Sequence, residues 1–190
     1  MVGSFYRLAV AAAFSAMLAG CSSVPGTLSD DFPDSGSSLD GTTMTMLEKP
    51  MQCVPFARAH SGVNIYGDAY TWWDKAGAAN YPRTSSPSTG AVMVLAGYST
   101  PEHAHVAVVR RIVSSREIRI DHANWLNNGA IFMDDPVADI SPNNDWSRVL
   151  VWNVQTHAWG VHTYNVTGFI EPKSRSGSMR VASRDDDLED

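Results

Sequence analysis

The stretch that most constrains the fold is residues 105–125. His105 opens a run rich in valine and isoleucine that ends at Val113, Ser114 to Arg116 read as a turn, and 117–125 returns with the same character. β-Branched side chains crowd a helix and suit a pleated surface, so two such runs across a short turn make an antiparallel hairpin. Along the return strand a period of two puts Ile118, Ile120, His122 and Asn124 on one face and Arg119, Asp121 and Ala123 on the other. The isoleucines are expected to turn the first face toward the core and the helices. Near-symmetric pairing about the turn then brings Asn124 opposite, or almost opposite, His105. A slip of one residue would select Asp121 instead.

Further strands are expected at 91–95, 149–152 and 161–169. Two helices precede them. The first covers 53–62, where Pro55 fits only a first turn and Gly62 is a good stop. The second covers 68–76 with Asp68 as its cap, followed by a loop at 78–89 that holds Pro82 and Pro87. Helices followed by a run of antiparallel strands give an α+β fold, with N-terminal helices packed on an antiparallel β-sheet. The folded domain is expected to span 47–172.

The 190 residues suit one domain with a substantial core. A formal net charge of -6 offers no basic surface, so no nucleic-acid partner is expected. No apolar stretch reaches the roughly 18 residues that suggest a membrane span. The N-terminus has a different anatomy: Arg7, then small apolar residues from Leu8 to Ala19, then Leu18-Ala19-Gly20-Cys21. Residues 1–20 read as a secretory signal. The box resembles that of bacterial lipoprotein precursors, which implies that Cys21 is the first mature residue and carries lipid. Several acyl chains make a near-permanent membrane anchor. Ser22 after the cysteine implies sorting to an outer membrane, with the domain facing the periplasm. Residues 21–46, rich in Ser, Gly, Asp and Thr, read as a flexible tether, and 173–190 as a disordered acidic tail.

The chain has two cysteines. With Cys21 lipidated, Cys53 is a lone thiol in an exported protein, which is unusual unless the thiol has a task. A Cys21–Cys53 disulfide is the alternative, and it excludes the lipid. At the start of a helix, Cys53 faces unpaired N–H groups and the positive end of the macrodipole, both of which favour thiolate. Those N–H groups, that of Cys53 included, could hold an oxyanion, and Gln52 could add its side-chain amide. His105 is the candidate base, and His122, Asn124 or Asp121 the group that orients it. A small buried cysteine and a structural histidine remain the plain alternatives. His103, His105 and His122 could instead converge on zinc, although no carboxylate-rich ligand set accompanies them. Trp72, Trp73, Tyr81, Tyr98 and Trp125 could line a substrate groove or pack in the core.

The segments around Gln52-Cys53-Val54-Pro55-Phe56-Ala57-Arg58, Thr89-Gly90-Ala91-Val92-Met93-Val94-Leu95 and His105-Val106-Ala107-Val108-Val109 together resemble a CHAP domain, a cysteine, histidine-dependent amidohydrolase/peptidase. The resemblance covers about 47 to 170. It implies a papain-like fold, peptidoglycan as substrate, and cleavage as a muramoyl-alanine amidase or a stem- or bridge-peptide endopeptidase. It maps the nucleophile onto Cys53 and the base onto His105, with no cofactor and no metal. Many members carry Glu-x-Asn on the strand after the base; here the residues are His122-Ala123-Asn124, so histidine replaces the glutamate. That departure keeps open an inactive wall-binding or scaffolding lipoprotein. A peptidase or amidase acting off the wall is a further alternative, and any protein activator is unknown.

Overall fold

The computed structural model describes residues 41–173. The signal segment, Cys21, most of the tether and nearly all of the acidic tail lie outside the described residues. The elements are β1 (Thr43–Thr45), α1 (Cys53–Ser61), a 3-10 turn (Ala69–Thr71) running into α2 (Trp72–Ala78), β2 (Arg83–Thr84) and β3 (Val92–Leu95). After a 3-10 turn at Pro101–His103 come β4 (His105–Ile112), β5 (Glu117–Ala123), β6 (Ile131–Asp139), β7 (Arg148–Asn153), β8 (Ala158–Trp159) and β9 (Tyr164–Ile170). None of the described helices is long and apolar enough to cross a membrane.

Every strand pairing is antiparallel. The path β6-β5-β4-β3-β9-β7 closes on itself because β7 also pairs with β6. Strands therefore dominate this α+β fold: a six-membered ring, with β1, β2 and β8 as short additions. Closure leaves the ring strands with partners on both sides, which removes exposed edges.

Two apolar clusters stand on the two faces of this wall. Met93, Leu95, Ala107, Val109, Ile118, Ile120, Val137, Val149, Val151 and Phe169 meet inside the ring. Val92, Val94, Val106, Val108 and Ile170 point outward, into a cluster with Ala57 of α1 and Trp72 and Ala76 of α2. This corrects one expectation. Ile118 and Ile120 do not face the helices; they line the ring interior, and His122 follows them there by alternation.

α1 starts and stops as its residues dictate. Pro55 sits in the first turn, where a missing N–H costs nothing, and Gly62 caps the end at φ 76. The second helical segment is less regular, because Asp68 precedes a 3-10 turn and makes no side-chain cap bond.

Four strands depart from the sequence-based expectation: the short β2, inside the expected loop 78–89, the short β8, and two that shape the sheet more deeply. Thr43–Thr45, assigned to the tether, pairs with Ile131–Met133 as β1, so the sheet begins ahead of residue 47. β6 was not foreseen at all. It carries Asp134, Asp135 and Pro136, residue types depleted in strands, and it holds one extra residue. Ile120 stands opposite Asp135, yet His122 stands opposite Phe132. The bulge falls at Asp134, whose φ of 58 is left-handed. It is held from outside: the Asp134 N–H donates to Asp121 Oδ1 at 2.8 Å, and Arg111 meets the Asp134 carboxylate at 2.8 Å.

Candidate active site

Cys53 opens α1 and His105 opens β4, and α1 packs directly on β4. Both residues line one open cleft of about 960 Å³, together with Gln52, Asn124 and Trp125. Cys53 is half-buried and forms no disulfide among the described residues.

The surroundings of the sulfur follow from the first turn of α1. Phe56 donates its N–H to the Gln52 carbonyl at 3.1 Å, and Pro55 has none to give. The backbone N–H groups of Val106, next to His105, and of Val54 and Cys53 pull the thiol toward its ionised form. These donors favour thiolate, but burial outweighs them and pushes the Cys53 thiol above its ordinary value. The helix start alone therefore does not produce a resting thiolate, contrary to the sequence-based expectation.

His105 projects from the ring face that also carries Ala107 and Val109. It is 7% exposed, and burial, reinforced by His122, holds its imidazole well below the usual range. Its Nε2 lies 2.9 Å from His122 Nδ1. His122, fully buried, places its own Nε2 at 3.1 Å from Asp135 Oδ2. Burial pushes His122 down to about 3, with Asp121 pulling weakly the other way. Burial raises Asp135 well above the usual carboxylate range, opposed by the charge of Arg119 and by Thr42. Trp125 covers the pair, its ring 4.9 Å from His105 and 5.5 Å from His122.

Of the three candidates for orienting His105, the structure brings only His122 into contact with it. Asn124 adopts φ 64 and so leaves the face that Ile118, Ile120 and His122 share. Its side-chain NH₂ donates to Gln52 Oε1 at 2.8 Å and its carbonyl oxygen accepts from the Gly129 N–H at 2.9 Å. Asn124 thus touches the Gln52 arm rather than the imidazole. The bond occupies the Gln52 carbonyl oxygen, and the Gln52 amide nitrogen makes no hydrogen bond among the described residues. Asp121 lies on the outer face, where Arg110 meets it at 3.0 Å. The slipped register that would have selected it does not occur.

His103 does not join the other two histidines. Its Nδ1 lies 2.6 Å from Ser99 Oγ, and its ring stacks on Tyr98 at 5.1 Å. Among the described residues no group of three or more His, Cys, Asp or Glu side chains could hold a metal ion. Of the candidate groove aromatics, Tyr98 and Trp125 line the cleft. Trp72 is in the outer core, and Trp73 and Tyr81 pack against it. Cleft residues that were missed include Trp152, His162 and Tyr164. They sit in the C-terminal third, where β7 and β9 return to the ring, and no local motif marks them.

Asp135 was missed for the same reason as β6. Only the register of the bulge carries it beneath His122, and that register is a tertiary fact.

A nucleophile-type side chain at a helix start, a strand-borne histidine in the same cleft and an antiparallel strand ring define a hydrolase-like site. Residues 43–124 match the family model of the CHAP domain. The family is one of amidohydrolases and peptidases acting on peptidoglycan, so hydrolase activity of that general class follows. No match to the chain was found among curated proteins. The family match ends at Asn124, ahead of Asp135 and of strands β6 to β9.

Proposed function

We propose that this protein is a papain-like cysteine peptidase or amidase that cleaves an amide bond of peptidoglycan from a lipid anchor on the outer membrane. The observation that carries the reading is the shared cleft: Cys53 and His105 both line it, and His105 is tied back through His122.

With Nε2 of His105 engaged by His122, Nδ1 is the nitrogen free to take the Cys53 proton. The sulfur attacks the carbonyl carbon, and the oxyanion forms beside the N–H groups of Cys53 and Val54 and the Gln52 amide. The His105 imidazolium then returns the proton to the leaving nitrogen, and the C–N bond breaks. Water, deprotonated by His105, cleaves the thioester, and Cys53 recovers its proton. The aromatic rim of the cleft (Tyr98, Trp125, Tyr164) suits apolar peptide parts and sugar faces.

Location supplies the substrate argument. Cys21 stands at the end of a lipoprotein-type signal, and the wall is the abundant amide polymer within reach of an outer-membrane anchor facing the periplasm. Purified sacculi incubated with the protein should release fragments whose masses identify the bond cut. Cys53→Ala should abolish release; a variant that clears sacculi as well as wild type would leave a non-catalytic wall-binding lipoprotein. Cys21→Ala should leave the chemistry intact and move the protein out of the membrane fraction, and its retention there would refute the anchor.

A further inference from the structure

The hydrogen-bond chain does not stop at His122. We propose that Asp135 is a positioning residue which, acting through His122, sets the tautomer of His105 so that Nδ1 carries no proton. This rests on the reading of His105 as the base.

Two imidazoles in series, Nε2 to Nδ1 at 2.9 Å and then Nε2 to Oδ2 at 3.1 Å, can be polarised in only two directions while both rings are neutral. If Asp135 is a carboxylate it can only accept, so His122 carries its proton on Nε2. His122 Nδ1 must then accept, so His105 carries its proton on Nε2 and presents a bare Nδ1. If Asp135 is a carboxylic acid and donates to His122, both tautomers reverse. His105 then presents an N–H and cannot take a thiol proton. The charge state at the far end thus decides whether the near end is a base.

Three observations separate this from ordinary packing. Asp135 is 1% exposed, and its Oδ1 makes no hydrogen bond among the described residues. A buried acid with one oxygen unmatched costs stability rather than adding it. Second, the left-handed bulge at Asp134 sets the register that brings Asp135 beneath His122, and the outer ion pairs with Arg110 and Arg111 hold that bulge. Third, the groups that face Asp135 are His122 and Arg119 from β5, Thr42 from the segment before β1 and Asp134 beside it. Of these, His122 alone leads to the cleft.

The test uses the full-length protein and needs no wall substrate. Histidine NMR on isotope-labelled wild type should show both buried imidazoles protonated at Nε2 and bare at Nδ1. Alkylation of Cys53 by iodoacetamide, followed against pH, should be slower in Asp135→Asn by roughly 10- to 100-fold near neutrality. The profile should approach that of His105→Ala. Asparagine keeps the shape but can donate as well as accept, so it no longer forces the His122 proton onto Nε2, whereas a merely structural role would leave the profile unmoved. The proposal is overturned by an Asp135→Asn profile that superimposes on wild type, or by a wild-type His105 that carries its proton on Nδ1. Should the variant fail to fold, the wild-type spectrum decides. Correct tautomers in a protein that leaves sacculi intact would refute the function proposed above and not this inference.

Discussion

Acid should destabilise this protein in a way set by three buried groups. His105 and His122 are held neutral in the fold, the first well below its ordinary value and the second down to about 3, both by burial. In the unfolded chain each takes a proton near pH 6.5. A depressed pKa of this kind contributes stability that is fully present above about pH 6.5 and is lost as pH falls toward the folded value. His122, pushed down to about 3, costs about 1.4 kcal/mol per pH unit in that window, so a descent to about pH 4.5 removes roughly 3 kcal/mol through this residue, and His105 adds a loss of the same sign. Asp135 has the opposite sign. Its folded pKa is raised, so its contribution is fully present below about pH 3.9 and is lost as pH rises through the folded value. Protonation of Asp135 in the fold opposes the loss from the histidines, so Asp135→Asn should lose stability more steeply with acid than the wild type. Urea unfolding at a series of pH values measures this directly, with a constant m-value as the check on two-state behaviour. A wild-type midpoint that stays flat from neutrality to about pH 4.5 would refute the assignment of two neutral buried imidazoles. Equal slopes in the two proteins would refute the part given to Asp135.

Other perturbations probe the parts around this chain. Gly129→Ala places a methyl against Pro50 at a left-handed φ of 72, so the melting temperature should drop by the equivalent of about 1–3 kcal/mol; an unchanged melt would show that the loop relaxes freely. Asn124→Ala frees the Gln52 carbonyl and should lower kcat by about tenfold with little change in KM, as for a lost oxyanion arm. A loss in Asn124→Ala as large as that in His122→Ala would place Asn124 on the imidazole in solution. Trp125→Ala uncovers the two imidazoles, and because burial is the leading cause of their depression, the acid limb of kcat/KM should move to higher pH. An unmoved limb would mean that the ring is not their shield.

The legible part of the fold is the part written in local periodicity. The strands at 91–95, 105–113 and 117–125 lie within a residue or two of β3, β4 and β5, because alternating β-branched residues leave the chain few other choices. The first helix was equally plain from Pro55 and Gly62. β6 was hidden because its buried acids and Pro136 contradict strand propensity, and only pairing on both sides makes them tolerable there. The same concealment covered Asp135, which reads as a turn residue until the bulge register is known. Asn124 misled for a local reason: the strand alternation used to aim its side chain ends one residue earlier, where its own φ turns positive. The helix-start argument for a low thiol pKa failed on magnitude, since it counted the N–H donors but not the burial that opposes them.

That last failure changes what the rest of the site must do. A thiol pushed up and an imidazole pushed down both disfavour a resting ion pair, so charge must separate during the attack itself. A preformed thiolate-imidazolium pair carries a proton on each ring nitrogen and has no tautomer to choose. A neutral imidazole does have one, and half of its choices are unreactive toward a thiol. Where burial keeps the base neutral, the group that fixes its proton gains in importance. Here that group is His122, itself neutral and equally free to choose, so its direction must come from beyond it. Aligned, buried acceptors also cost little reorganisation when the positive charge appears on His105. A site that replaces a charged orienting residue with a histidine therefore has reason to keep an acid one step further back, and the bulge in β6 puts Asp135 there.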